Sequence, residues 1–196
     1  MKKLLPAIAP HKSLPPEILV EIFLHYAADI AEQVIYGTEP SDRRLSQFPW
    51  VLGHICSRWR QIALAEPRIW GTIGVNGNLP MLNEAFRRGG QSRLWLSVKE
   101  GENGRYTHDV FLRDVICSQS KRITDLSLSV WDETFERFLT LPSDSFPVLE
   151  AFQLERTVGY SCLPDSDACV FQGATRLRRI DINTEPFPMN LCLRWP

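Results

Sequence analysis

With 196 residues, 44% of them hydrophobic, the chain is long enough to bury a core as one domain or as a small module plus a second, and too apolar to be disordered. A formal charge of −1 leaves no global field to hold nucleic acid, and the basic pairs Arg87-Arg88, Lys121-Arg122 and Arg178-Arg179 are short and interspersed with acids. No stretch approaches the length needed to span a bilayer, so neither nucleic acid nor membrane is expected as a partner.

The opening Met1-Lys2-Lys3-Leu4-Leu5 has the charge of a leader, but Pro6 and Pro10 interrupt its apolar run and His11-Lys12 end it. A first helix is expected from Pro15-Pro16, residues suited to helix entry, with Ser13 as a polar cap. Ile18, Leu19, Ile22, Phe23 and Tyr26 then cover roughly half of its circumference, opposite Glu17, Glu21 and His25. That is wider than one core contact needs. Asp29 to Tyr36 extends this helix to a stop at Gly37. A second helix is expected from about Pro49 to Ala65, with Val51, Leu52, Ile55, Cys56, Trp59, Ile62 and Ala63 apolar and Ser57, Arg58, Arg60 and Gln61 outward. Glu66-Pro67 ends it, and Trp70 returns as an apolar anchor for the helix pair. Together these helices carry more apolar surface than so small a module can cover, which implies a partner protein.

After Trp70 the pattern changes. Gly71 to Gly77 predicts a short strand carrying Ile73 and Val75, and Pro80 to Arg88 a helix stopped by Gly89-Gly90. Strand-like runs follow at Leu94 to Val98, Ile123 to Leu128, Leu149 to Leu154 and Leu177 to Ile182, roughly 26 to 30 residues apart, a spacing typical of leucine-rich solenoids. Helices are expected between them at Thr107 to Ser118 and Glu133 to Leu139, with a turn around Cys169-Val170-Phe171. The fold class is therefore α/β overall: a small N-terminal helical bundle, then a short βα solenoid whose parallel sheet has right-handed crossovers.

Candidate chemistry is sparse. Glu17, Glu21 and His25 form an acid-acid-base stripe on a solvated helix face with nothing beside it to complete a catalytic site. His54 and Cys56 stand about 200° apart around a helix and cannot grip one metal ion. Cys162 and Cys169, considered as nucleophiles with His108 as base, are not brought together by any motif, and Gly71, Gly74 and Gly77 lack the lysine and hydroxyl of a phosphate loop. No catalytic residue, metal or cofactor is expected. The scattered cysteines Cys56, Cys117, Cys162, Cys169 and Cys192 read as free thiols of the cytoplasm or nucleus.

Residues 14 to 70, worded LPPEILVEIF and PWVLGHICSRWRQIALAEPRIW, resemble an F-box of the kind that mushroom-forming fungi carry in large numbers. The resemblance implies a helical F-box domain over residues 10–71 that docks a Skp-type adaptor and, through it, a cullin-RING ubiquitin ligase. It assigns adaptor binding to Leu14, Pro15, Pro16, Ile18, Leu19, Ile22, Phe23, Leu52, Ile55, Cys56 and Trp59. The segment Ala28 to Gln47 is longer than a minimal F-box requires. Residues 72–196, with Phe146-Pro147-Val148-Leu149-Glu150 and Ala174-Thr175-Arg176-Leu177-Arg178-Arg179-Ile180, resemble the irregular leucine-rich repeats that follow the F-box in the same proteins. That region is expected to hold an unknown substrate protein through candidates such as Trp95, Lys99, Trp131, Gln153 and Arg156, and to be a truncated or abbreviated member with an exposed edge near Leu191 to Pro196. The implied function is that of a substrate-recognition adaptor, making and breaking no bond itself; the alternative is a scaffold binding the same adaptor outside a ligase.

Overall fold

The computed structural model describes residues 14–35, 47–75, 79–99, 115–156 and 169–183. The leader-like opening, the Ser13 cap, most of the long inter-helix segment with Gly37, Gly77, the front of the 107–118 helix with His108, Cys162, Cys192 and the edge at 191–196 lie outside those residues.

Helix α1 runs Pro16–Ile35. Pro16 occupies its first position, where no intrahelical N–H is needed, and the Leu19 amide donates to the Pro15 carbonyl at 3.2 Å to close the first turn. Leu19, Phe23, Ala27 and Ile30, spaced four, four and three residues apart, form its buried side.

The expected single helix from Pro49 to Ala65 is broken. Turns over 48–51 lead into a short α2, Leu52–Ile55; Cys56 is extended, with φ −160° and ψ 167°; and α3 restarts over Ser57–Ala65. The Gly53 carbonyl, which an unbroken helix would bond to residue 57, instead accepts from Arg60 Nε at 2.8 Å. The new direction of α3 lays Trp59 against Phe23, with ring centroids 4.7 Å apart. Arg58, expected to face outward, reaches back and donates from Nη2 to the Leu14 carbonyl, fixing the start of α1 against α3.

A 3-10 turn, Pro67–Gly71, joins the helices to the sheet. The Glu66 carboxylate caps it by accepting from the Arg68 amide at 3.1 Å, and the indole of Trp70 donates to the Ala63 carbonyl at 2.7 Å. Trp50 meets Trp70 edge to face at 4.9 Å, and the Arg88 guanidinium covers the Trp70 ring at 5.1 Å.

The sheet then forms in chain order: β1 (Thr72–Val75), α4 (Leu79–Gly89), β2 (Leu94–Lys99), β3 (Ile123–Val130), α5 (Asp132–Leu139), β4 (Ala151–Arg156) and β5 (Arg179–Asn183). All five strands are parallel and each lies beside its predecessor. This is the mixed, parallel-sheet α/β architecture expected from the spacing of the apolar runs. Each repeat is tied to the last by its backbone: the Glu150 amide donates to the Thr124 carbonyl at 2.7 Å and the Arg178 amide to the Glu150 carbonyl at 2.9 Å.

The register sorts the side chains. Ile73, Leu96, Leu126, Phe152 and Ile180 form one row across the strands, and Val75, Val98, Leu128, Leu154 and Ile182 another on the same face. From β1 to β4 these rows are fully buried, and on β5 they are half-buried. In α5, Phe138 stacks on Phe152 at 5.8 Å with only 3° between ring planes, flanked by Phe146 and Phe171. The core is continuous from Leu19 through Trp70 to Ala174, so the expected boundary between residues 71 and 72 carries no gap in packing.

Candidate functional site

The apolar stripe of α1 divides into two parallel rows. Leu19 and Phe23 turn inward and are 1% exposed, whereas Ile18, Ile22 and Tyr26, about 100° around the axis, remain 47%, 44% and 42% exposed. The expected adaptor-binding residues divide the same way. Pro15, Pro16, Ile18, Ile22 and Ile55 are exposed; Leu14, Cys56 and Trp59 are half-buried; Leu19, Phe23 and Leu52 lie in the core. Those last three are at most 2% exposed, and Phe23 packs on Trp59 of α3.

Two further exposed apolar side chains, Tyr26 and Leu64, belong with the outer set. Tyr26 was already legible as the next step of the four-residue row after Ile22. Leu64 carried no such signal, since its exposure depends on the break at Cys56 that sets the roll of α3.

Between the start of α1 and the end of α3, Pro16, Ile18, Val20, Ile62 and Ala65 line an open groove. Glu21, Glu66 and Arg68 border it, with Arg68 Nε 3.0 Å from Glu66 and its Nη1 3.7 Å from Glu21. The hydrogen bond from Arg68 holds the Glu66 carboxyl below the usual carboxylate range. The groove thus has an apolar floor and a charged, solvated border.

The residues weighed for chemistry are dispersed. Glu17, Glu21 and His25 are exposed along α1, His54 is exposed on α2, and Cys56 is half-buried in the break that follows. Cys169 is exposed, and burial pushes the Cys117 thiol up, away from the reactive thiolate. Among the described residues no group of His, Cys, Asp or Glu is placed to hold a metal ion, and no helix is long and apolar enough to cross a membrane.

The opposite face of the sheet is polar. Its rows read Thr72, Trp95, Asp125, Ala151, Arg179 and Gly74, Ser97, Ser127, Gln153, Asp181. Of the substrate-facing candidates, Trp95, Gln153 and Lys99 lie on this face; Trp131 is half-buried ahead of α5, and Arg156 stands in register with Val130 of the apolar face. Asp125, Arg179 and Asp181 were missed, although each is the polar residue in an alternating apolar-polar run. Comparison of the chain with models of known protein families, with curated proteins and with solved structures returns no match.

Proposed function

We propose that the chain is a substrate-recognition adaptor of an SCF-type cullin-RING ubiquitin ligase, working in the cytoplasm or nucleus. Residues 10–71 act as an F-box that docks a Skp-type adaptor, and residues 72–196, a leucine-rich-repeat-like solenoid, present a substrate protein. The chain itself makes and breaks no bond; it raises the local concentration of substrate near the ubiquitin carrier.

One observation carries this reading. Every large apolar side chain left exposed among the described residues, namely Ile18, Ile22, Tyr26, Ile55 and Leu64, falls on the helices before residue 66, within the segment that resembles an F-box. The sequential parallel sheet and the free thiols of Cys56, Cys117 and Cys169 are in keeping with it.

The test uses the full chain co-expressed with a Skp-type adaptor. Ile18→Asp with Ile22→Asp changes two exposed positions, so thermal stability should shift by no more than about 0.5 kcal/mol per site, while adaptor capture should fall by at least tenfold, or about 1.4 kcal/mol. Full capture by the folded double variant overturns the assignment. Recovery of a cullin with the wild-type pair separates a ligase subunit from a scaffold that binds the adaptor alone.

A further inference from the structure

The first polar row of the sheet adjoins α1. Trp95, Asp125 and Arg179 from the strands, and Leu24, Ala28 and Glu32 from the helix, line one open cleft of about 350 Å³. That lies within the roughly 300–1,000 Å³ of sites that receive a small ligand or a few side chains. Across the row, Ala151 separates Asp125 from Arg179, and its small side chain leaves a gap between carboxylate and guanidinium. The two are separated by two strand spacings, about 10 Å between backbones, and form no ion pair with each other among the described residues.

Asp125 takes a side-chain hydrogen bond from Thr124 and feels the charges of Arg179 and Arg93, but none of these outweighs its burial. Asp125 is half-buried, and burial is the leading influence on its carboxyl, raising it above its usual range. Arg93, the other nearby cation, is already paired with Glu150 at 3.6 Å. A cation seated against Asp125 would restore the solvation that burial removed. Trp95 is half-buried beside it and provides an aromatic surface, where a desolvated cation gains further. Arg179 is exposed and offers a planar fork suited to a carboxylate.

The spacing selects the ligand. An extended chain, rising about 3.3 Å per residue, matches the separation of these two strands in two or three positions. A polyanion such as a nucleic acid is disfavoured, because Asp125, Asp181 and Glu32 outnumber Arg179 around the site. We propose that this cleft seats an arginine side chain from an extended segment of a partner protein, stacked on Trp95 with its guanidinium against Asp125, while Arg179 receives an acidic side chain two or three residues along the same segment. That this partner is a substrate for ubiquitin transfer rests on the function proposed above; the chemistry of the cleft does not.

The experiment is an NMR titration of the full chain with an unstructured peptide carrying one arginine and, three positions on, one glutamate. The indole N–H of Trp95 and the amides of Asp125 and Ala151 should shift together and saturate. Replacing arginine by citrulline in the peptide, or Asp125 by asparagine in the protein (Asp125→Asn), should weaken binding about tenfold, and Arg179→Ala with a glutamine-for-glutamate peptide should show no further loss over either change alone. Equal affinity for the citrulline peptide, tighter binding of an all-acidic peptide, or an unmoved Trp95 signal up to millimolar peptide overturns the proposal; spectra outside the cleft report whether each variant is folded. Peptide binding and adaptor capture, both measured on the wild-type chain, separate the two readings. Peptide binding without adaptor capture in the wild type removes only the docking assignment, and capture without peptide binding removes only the cleft.

Discussion

On α1 a buried row, Leu19, Phe23 and Ala27, lies beside an equally apolar row, Ile18, Ile22 and Tyr26, that is left in water; on the sheet the apolar rows are covered and the open rows carry Thr, Trp, Ser, Asp, Gln and Arg. The same solvent acts on both regions. Full burial of an isoleucine or leucine side chain stabilises a fold by about 1.5–3 kcal/mol, so the helical region forgoes stabilisation that the sheet takes in full. Selection for the stability of this chain alone gives no reason to keep such a row apolar, and this is what the proposed docking of a second protein would explain. The sheet needs no such contact for its apolar side, and its polar side suits selective recognition of charged groups.

If the sheet region is stabilised by its own core, the largest loss should come from Phe138→Ala. Phe138 is completely buried and stacks on Phe152 between Phe146 and Phe171, so its removal should cost about 3–5 kcal/mol in chemical denaturation. A cost below about 1 kcal/mol, far under the range for a buried phenylalanine, would show that this cluster is looser than its geometry.

A smaller effect is expected where the two regions join. A Cβ on Gly71 would stand 2.5 Å from the Arg93 carbonyl oxygen, which is backbone and cannot simply swing away. Gly71→Ala should therefore cost about 1–3 kcal/mol by overpacking. Because the core is continuous across this junction, helix and sheet signals in circular dichroism should still be lost together. Separate transitions would make the two regions independent, and would sharpen the contrast into two domains.

Much of this organisation was legible from periodicity alone. The strands begin within two residues of the starts of the apolar runs at Ile123, Leu149 and Leu177, and α5 matches the run from Glu133 to Leu139, because a half-covered strand or helix must repeat its apolar residues at a fixed interval. The break at Cys56 was not legible: Leu52 through Ala65 keep a helical apolar pattern through it, and the interruption is compensated by a long-range side-chain bond from Arg60 to Gly53. The split of the α1 stripe was half legible. Its width announced two contacts, but which row faced inward depended on where Trp59 came to rest. The cleft beside Trp95 was hidden for a related reason, since Asp125 and Arg179 are distant in sequence and meet only through the register of three strands.

The smallest expected effect on stability concerns that cleft, and its sign separates recognition from structure. Asp125 is raised chiefly by burial; Thr124, Arg179 and Arg93 act in the opposite sense, and Glu150 adds to the rise. A carboxyl whose folded value lies above its unfolded one is protonated more readily in the native state. Stability therefore falls as pH rises from the ordinary aspartate range through the folded value, then stays level. Asp125→Asn removes the charge at nearly constant shape, so the variant should match the wild type in acid and be the more stable of the two at neutral pH. Denaturant midpoints measured across that range check this. Lower stability of the variant at neutral pH would mean that Asp125 is a structural ion-pair partner, closing the gap that Ala151 leaves. The expected result, a more stable protein that has lost its hold on an arginine peptide, places the carboxylate where folding alone would not keep it, and ties the open polar face to binding.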